Sequence, residues 1–263
     1  MNFREMTAST TPHYFVFTVD GHSSDARFKV WYNQMRLEYT DVSRRPRPKD
    51  VCIKLVFEPD SIELDNFYYD MGFDKKYMCP PLSHVEFFKI LDVVSSMYGT
   101  TLVNLIDGSY ITVNEFKIPK NVIAMTKGGL SFYNRHGFVS NEDGVDENFR
   151  QLPSTVLDEG AAYFDVREGS TFREAAEQLI QRARRFEGTK EERTSLQVRL
   201  ASFDTRIQID THDSNWYHKI TSPYEYRIEP LNETTFHVIA TSIAGKKRKP
   251  KTRNKRRSKS VRN

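Results

Sequence analysis

Ser83-His84-Val85-Glu86-Phe87-Phe88-Lys89-Ile90-Leu91-Asp92-Val93-Val94-Ser95-Ser96-Met97-Tyr98-Gly99 is the stretch whose reading decides the architecture. A serine followed three residues later by a glutamate can close the first turn of a helix reciprocally, each side chain bonding the other residue's amide. Phe87, Phe88, Leu91, Val94 and Tyr98 then share one face at helical spacing, Ile90, Val93 and Met97 widen it, and Gly99 supplies a terminator. The pattern predicts a well-buried helix from Ser83 to Tyr98. Pro80-Pro81 stops any extended element before it, and Thr101 to Ile106 reads as an apolar strand directly after it.

Working outward, apolar residues alternate at Tyr14, Val16 and Thr18, at Phe28, Val30 and Tyr32, and at Val51, Ile53, Leu55 and Phe57, which is strand periodicity. Ser61 to Tyr69 is a further candidate strand with Ile62, Leu64 and Phe67 inward. Ser43-Arg44-Arg45-Pro46-Arg47-Pro48-Lys49 reads as a basic, solvated loop. Asp107-Gly108, ahead of Tyr110, Ile111 and Val113, predicts a tight hairpin with the preceding strand. A second helix is announced by the capping pair Thr171 and Glu174 and by the stripe Phe172, Ala175, Ala176, Leu179, Ile180, Ala183 and Phe186. Alternation returns at Leu196, Val198 and Leu200, at Ile207 and Ile209, at Tyr224, Tyr226 and Ile228, and at Phe236, Val238 and Ile239, so the C-terminal part reads as sheet. The fold class expected is α+β: a mixed, mostly antiparallel sheet with two main helices. The acidic, glycine-containing Asn141 to Asp146 is the best boundary, giving parts 1–140 and 141–245 and a tail 246–263.

The 39 basic and 35 acidic residues of the 263-residue chain are unevenly placed. Lys246, Lys247, Arg248, Lys249, Lys251, Arg253, Lys255, Arg256, Arg257, Lys259 and Arg262 lie in the last eighteen residues, which hold no acid. The remainder has 28 bases against 35 acids, net −7. A mildly acidic body thus carries a strongly basic arm, too poor in apolar residues to fold alone and suited to a polyanion. Its partners are expected to be nucleic acid or an acidic protein surface, and Lys246 to Lys251 with Lys255-Arg256-Arg257 resembles a two-part nuclear import signal read by an import receptor. No apolar run approaches the roughly 20 residues that span a bilayer, and Met1 to Thr11 lacks a basic segment followed by an apolar one, so the expectation is a soluble, unsecreted chain with no membrane partner. Cys52 and Cys79 read as ordinary thiols. Asp210, His212, Asp213 and His218 have no zinc-module spacing and read as a polar turn, so no metal is expected.

Tyr133 followed by Gly137-Phe138 resembles the Tyr-x-x-x-Gly-Phe ending of GNAT-type acyltransferases, and the order of strand 61–69, helix 83–98, strand 101–106 and Tyr133 segment is similar to that family's central region. The resemblance implies a GNAT-like fold in which Tyr133 protonates a departing thiolate, Glu63 or Asp65 acts as base, and acetyl-CoA is held at the helix N-terminus near Ser83. The chain departs from the family at the pyrophosphate loop: Tyr77 to Ser83 contains no glycine and two prolines without an amide hydrogen. Leu105, Asp107 and Ser109 with Ser131, Phe132, Tyr133, Gly137 and Phe138 also resemble uncharacterised proteins of large DNA viruses. Together these point to a non-catalytic GNAT-like binding or structural protein of such a virus, without cofactor, located in the nucleus or virion beside other virion proteins, or otherwise in the cytoplasm. The alternative is an acyl-CoA-dependent N-acetyltransferase.

Overall fold

The computed structural model describes residues 2–38, 53–67, 82–157 and 160–243. The basic loop 43–49, both cysteines, Asp70 to Pro81 and the tail 246–263 lie outside the described residues. In chain order come helix α1 (Phe3–Ala8) and strands β1 (His13–Val19), β2 (His22–Trp31), β3 (Gln34–Glu38), β4 (Ile53–Phe57) and β5 (Ile62–Phe67), then helix α2 (His84–Tyr98) and strand β6 (Leu102–Ile106). A small hairpin, β7 (Tyr110–Val113) and β8 (Phe116–Pro119), leads into α3 (Lys120–Thr126), the two-residue strand β9 (Val139–Ser140), and helices α4 (Val145–Gln151), α5 (Ala161–Phe164), α6 (Phe172–Arg184) and α7 (Lys190–Thr211). Strands β10 (Trp216–Ile220), β11 (Tyr224–Pro230) and β12 (Thr235–Ser242) close the described chain.

Ten of these strands form one sheet in the order β11-β12-β1-β2-β3-β4-β5-β6-β10-β9. Its neighbours are antiparallel except for two pairs, β1 with β12 and β5 with β6. The protein is therefore α+β with a mixed, mostly antiparallel sheet. Strand β10 lies between β6 and β9, and β12 lies beside β1, so the two ends of the chain share the sheet.

The β5–β6 pair, in register at Ile62↔Val103 and Leu64↔Leu105, is parallel and so must be joined by a crossover, which is α2. Ser83 caps it as the sequence predicts: its hydroxyl accepts from the Glu86 amide at 3.2 Å, and Glu86 accepts from the Ser83 amide at 2.9 Å. Gly99 ends it at φ 79°. Phe87, Phe88, Leu91, Val94, Met97 and Tyr98 enter a core shared with Phe15, Phe28, Leu55, Val103 and Val238 of the sheet. Polar pins fix the helix as well. The Tyr98 hydroxyl donates to the Glu58 carbonyl at 2.9 Å, and the Tyr98 carbonyl accepts from Arg4 Nε at 2.6 Å. Buried Asp92, on the same helix, meets Lys219 of β10 at 2.8 Å.

A second core, built on Phe116, Val122, Phe149, Phe172, Leu179, Leu200, Phe203 and Ile207, lies among α3–α7 and the β7–β8 hairpin. Gly129 allows α4 to approach it: a Cβ there would lie 1.6 Å from the Phe149 carbonyl oxygen.

Two expectations are corrected. Residues 196–200 and 207–209 are not strands but part of the 22-residue α7, so the fold has three main helices rather than two. The buried residues Leu196, Leu200, Phe203, Ile207 and Thr211 repeat every three or four positions, while Val198 and Ile209, which completed the apparent alternation, are exposed. A further capping box, Thr189 with Glu192, marks its start. The hairpin expected at Asp107-Gly108 does not form either. Tyr110–Val113 pairs with β8 instead, around Asn114 and Glu115, both at positive φ. Asp107 is held out of a two-residue turn because its carboxylate accepts the amide and hydroxyl of Ser109 and its own amide donates to the Asn215 carbonyl at 2.8 Å.

Breaking the buried Asp92–Lys219 pair from one side leaves a desolvated cation, whereas replacing both partners leaves none. Asp92→Ala is expected to lower the unfolding free energy by about 3 kcal/mol, and the double variant Asp92→Leu/Lys219→Met to stay within about 1 kcal/mol of the parent, read from urea denaturation.

Candidate functional site

Tyr133 sits between α3 and β9 in a segment tied by its own polar groups. Ser131 and Asn134 exchange bonds, the Ser131 amide to Asn134 Oδ1 at 3.1 Å and the Asn134 amide to Ser131 Oγ at 3.0 Å. Asn134 Nδ2 donates to the Phe138 carbonyl and to Asp146 Oδ1, each at 3.0 Å. A single 3-10 turn, Asn134–His136, follows the tyrosine, and Gly137 at φ 84° turns the chain into β9. The Tyr133 ring is buried against Phe132, Phe138 and Phe88, with centroids 5.4, 5.7 and 6.5 Å away. Burial, and secondarily the charge of Asp107, push its phenol well above the ordinary range. His136 stacks on Phe88 at 4.3 Å, and burial depresses its imidazole to about 4.

Glu63, the base implied by the resemblance, alternates with the core residues Ile62 and Leu64 and so lies on the opposite face of the sheet from Tyr133. The structure does not bring these two together. Ser83 is at the N-terminus of α2, with both its hydroxyl and its amide engaged by Glu86. That carboxylate is held below its usual range first by the Ser83 side-chain bond and then by the Ser83 amide. An anion placed there meets a negative charge on the donors it would need, so the described end of α2 does not fit a pyrophosphate.

Tyr133 does meet groups that the sequence did not single out. Lys120, at the start of α3, places Nζ 4.6 Å from the Tyr133 ring and 4.7 Å from the Phe132 ring. Burial lowers its pKa, and the nearby Asp107 carboxylate opposes that shift. Asp107 is buried, its carboxyl raised by desolvation against the pull of Lys120, and its Oδ2 has no hydrogen-bond partner. A polar cavity of about 180 Å³ adjoins this pair where the sheet meets the helical core, with Asn121, Asp204, Gln208 and Asn215 among its walls. Asp204 Oδ1 is likewise unpartnered, and burial raises its carboxyl to about 6. Asp107 and Ser109 thus approach Phe132 and Tyr133 through Lys120. The Asp-x-Ser spacing carried a local signal for the turn, whereas Lys120 and Asp204 have no sequence neighbour that marks them.

The Asp210 to His218 segment connects α7 to β10. Arg206 donates to Asp210 at 2.8 Å, the Tyr217 hydroxyl and the Asn215 amide donate to Asp213 at 2.9 Å each, and His218 meets Asn141 at 2.5 Å. Among the described residues no three His, Cys, Asp or Glu side chains are placed to hold a metal, and no helix is long and apolar enough to cross a membrane.

Comparison with protein-family models, with curated proteins and with solved structures returns no match.

Two of the shifted groups, Asp204 and His136, act on stability in opposite senses. Asp204, raised to about 6 when folded, favours the fold below its unfolded value near 3.8, and that contribution is lost as pH rises through 6. His136, depressed to about 4, favours the fold above 6.5 and loses that contribution as pH falls through 4. Asp204→Asn is therefore expected to stabilise the protein by about 2 kcal/mol at pH 8 and to change little at pH 4, measured by denaturant titration at each pH.

Proposed function

We propose that the chain is a non-catalytic, GNAT-like binding protein of a large DNA virus, attached through its basic tail to nucleic acid and directed by it to the nucleus or virion. The observation that carries the non-catalytic reading is the sheet between Tyr133 and Glu63, which keeps acid and base from meeting across one substrate. The aromatic packing of Tyr133 supports it further. The family likeness is supported by the parallel β5–β6 pair around α2 and by the turn from Tyr133 through Gly137 into β9. The binding role is supported by the eleven bases of residues 246–263 against a body of net −7. Such an arm grips phosphates without reading bases, and each phosphate it neutralises adds about 0.9 to the salt dependence on duplex DNA. Ser258 and Ser260 lie among these bases, where phosphorylation would subtract close to two charges apiece.

A second reading, an N-acetyltransferase using acetyl-CoA, is favoured by one observation: buried Asp107 lies near Tyr133 and carries an unpartnered oxygen beside the polar cavity, so it can take the place that Glu63 cannot. In that reading Tyr133→Phe and Asp107→Asn each abolish acetylation of amines.

Deleting Lys246 to Asn263 is expected to eliminate salt-dependent retention on duplex DNA while moving the melting temperature by less than about 2 °C. Unchanged retention would remove the tail from the account.

A further inference from the structure

We propose that the face of the sheet turned away from α1 and α2 binds single-stranded nucleic acid, through a row of cations crossing β2, β3 and β4 and the aromatic rings beside it. Phe15, Phe28, Met35 and Leu55 point into the core, so Tyr14, Lys29, Arg36 and Lys54 share the outer face by alternation. The register sets them in line: Tyr14 opposes Lys29, Lys29 opposes Arg36, and Arg36 opposes Lys54. Three cations therefore succeed one another at the strand spacing of about 4.8 Å.

Like charges directly opposite one another destabilise a sheet, and here they stand on a body whose overall charge is negative. Acids flank the row, with Glu38 opposite Arg27 and Glu63 and Asp65 on β5, and leave its centre uncompensated. Asp65 pairs with Lys54, and among the described residues no carboxylate pairs with Lys29 or Arg36. Aromatic rings also hold cations on this face. Lys29 Nζ lies 4.5 Å and Arg36 Cζ 5.0 Å from the Trp31 ring, and Arg27 Cζ lies 4.0 Å from the Tyr14 ring. Arg36 is fixed further by a 2.7 Å bond to Gln34. These positive groups are thus laid flat on the sheet at set positions before any ligand arrives, which lowers the entropic cost of binding one.

A row of fixed cations suits a chain of phosphates. Aromatic rings and guanidinium planes on the same face suit unpaired bases, which present π-faces that a duplex hides. An acidic peptide would satisfy the charges and leave the rings unused. The tail has no aromatic residue, so this face and the tail differ in the ligand they prefer.

Trp31 reports on the site directly, because the chain has only one other tryptophan, Trp216. In the full chain carrying Trp216→Phe, an oligothymidylate is expected to quench Trp31 fluorescence saturably. Adding Lys29→Gln and Arg36→Gln should weaken single-strand binding about tenfold, leave duplex retention by the tail in place, and keep or raise the melting temperature, since it relieves like-charge contacts. Oligothymidylate binding seen by anisotropy without any change in Trp31 fluorescence would overturn the proposal and assign binding to the tail. Equal quenching by polyglutamate would overturn it in favour of an acidic protein partner.

Discussion

Parallel neighbours cannot be joined by a tight turn, and the rest of this structure depends on how β5 and β6 are connected. The link is α2, and the apolar width of that helix is what covers the centre of the sheet. Magnitudes separate two roles. The Ser83–Glu86 cap contributes about 1 kcal/mol and sets where the helix begins, whereas each fully buried Phe, Leu or Val contributes about 1.5–3 kcal/mol and decides that the helix packs there. Once seated, α2 presents Asp92 to Lys219 and Phe88 to His136 and Tyr133, so β10 and the Tyr133 segment are positioned by the same helix.

That seating fills with side chains the region in which an acyltransferase would act. Phe88, Phe132 and Phe138 surround the Tyr133 ring, and Glu86 neutralises the N-terminus of α2. Polar groups gather instead at the joint between the two cores, where Asp107, Lys120 and Asp204 all shift toward their neutral forms under burial. Positive charge among the described residues lies elsewhere again, in the row Lys29, Arg36 and Lys54 on the outer sheet face. Buried chemistry and surface charge therefore occupy separate parts of the molecule.

Much of the sheet was legible because one face is buried, which writes period two into β2, β4 and β5; in β1 the period was visible but on the wrong face, since Phe15, Phe17 and Val19 are buried and the alternating Tyr14, Val16 and Thr18 lie on the outer side. Both α2 and α6 were legible from their caps and stripes. Helix α7 was not. Its buried positions are diluted by Val198 and Ile209, apolar residues that face solvent, and two short alternating runs outweighed a 22-residue helical repeat. The short β3, β8 and β9 carry too few residues for any period to show, and Asn114-Glu115 reaches positive φ at both positions without a glycine. The turn after Tyr133 was visible through Gly137-Phe138, and the start of α2 through the Ser83 cap. Lys120 and Asp204 were invisible because 84 residues separate them and only the packing of α3 against α7 brings them to one cavity. The cation row had the same obstacle: Lys29, Arg36 and Lys54 are ordinary strand residues until the register aligns them.

In the proposed reading, the Tyr133 region is closed by its own side chains and binding is carried by charge. Calorimetric titration of the full chain with coenzyme A tests this most directly. No saturable heat up to about 1 mM ligand is the predicted result. Micromolar binding, abolished when Ser83 is replaced by a bulky residue, would contradict it.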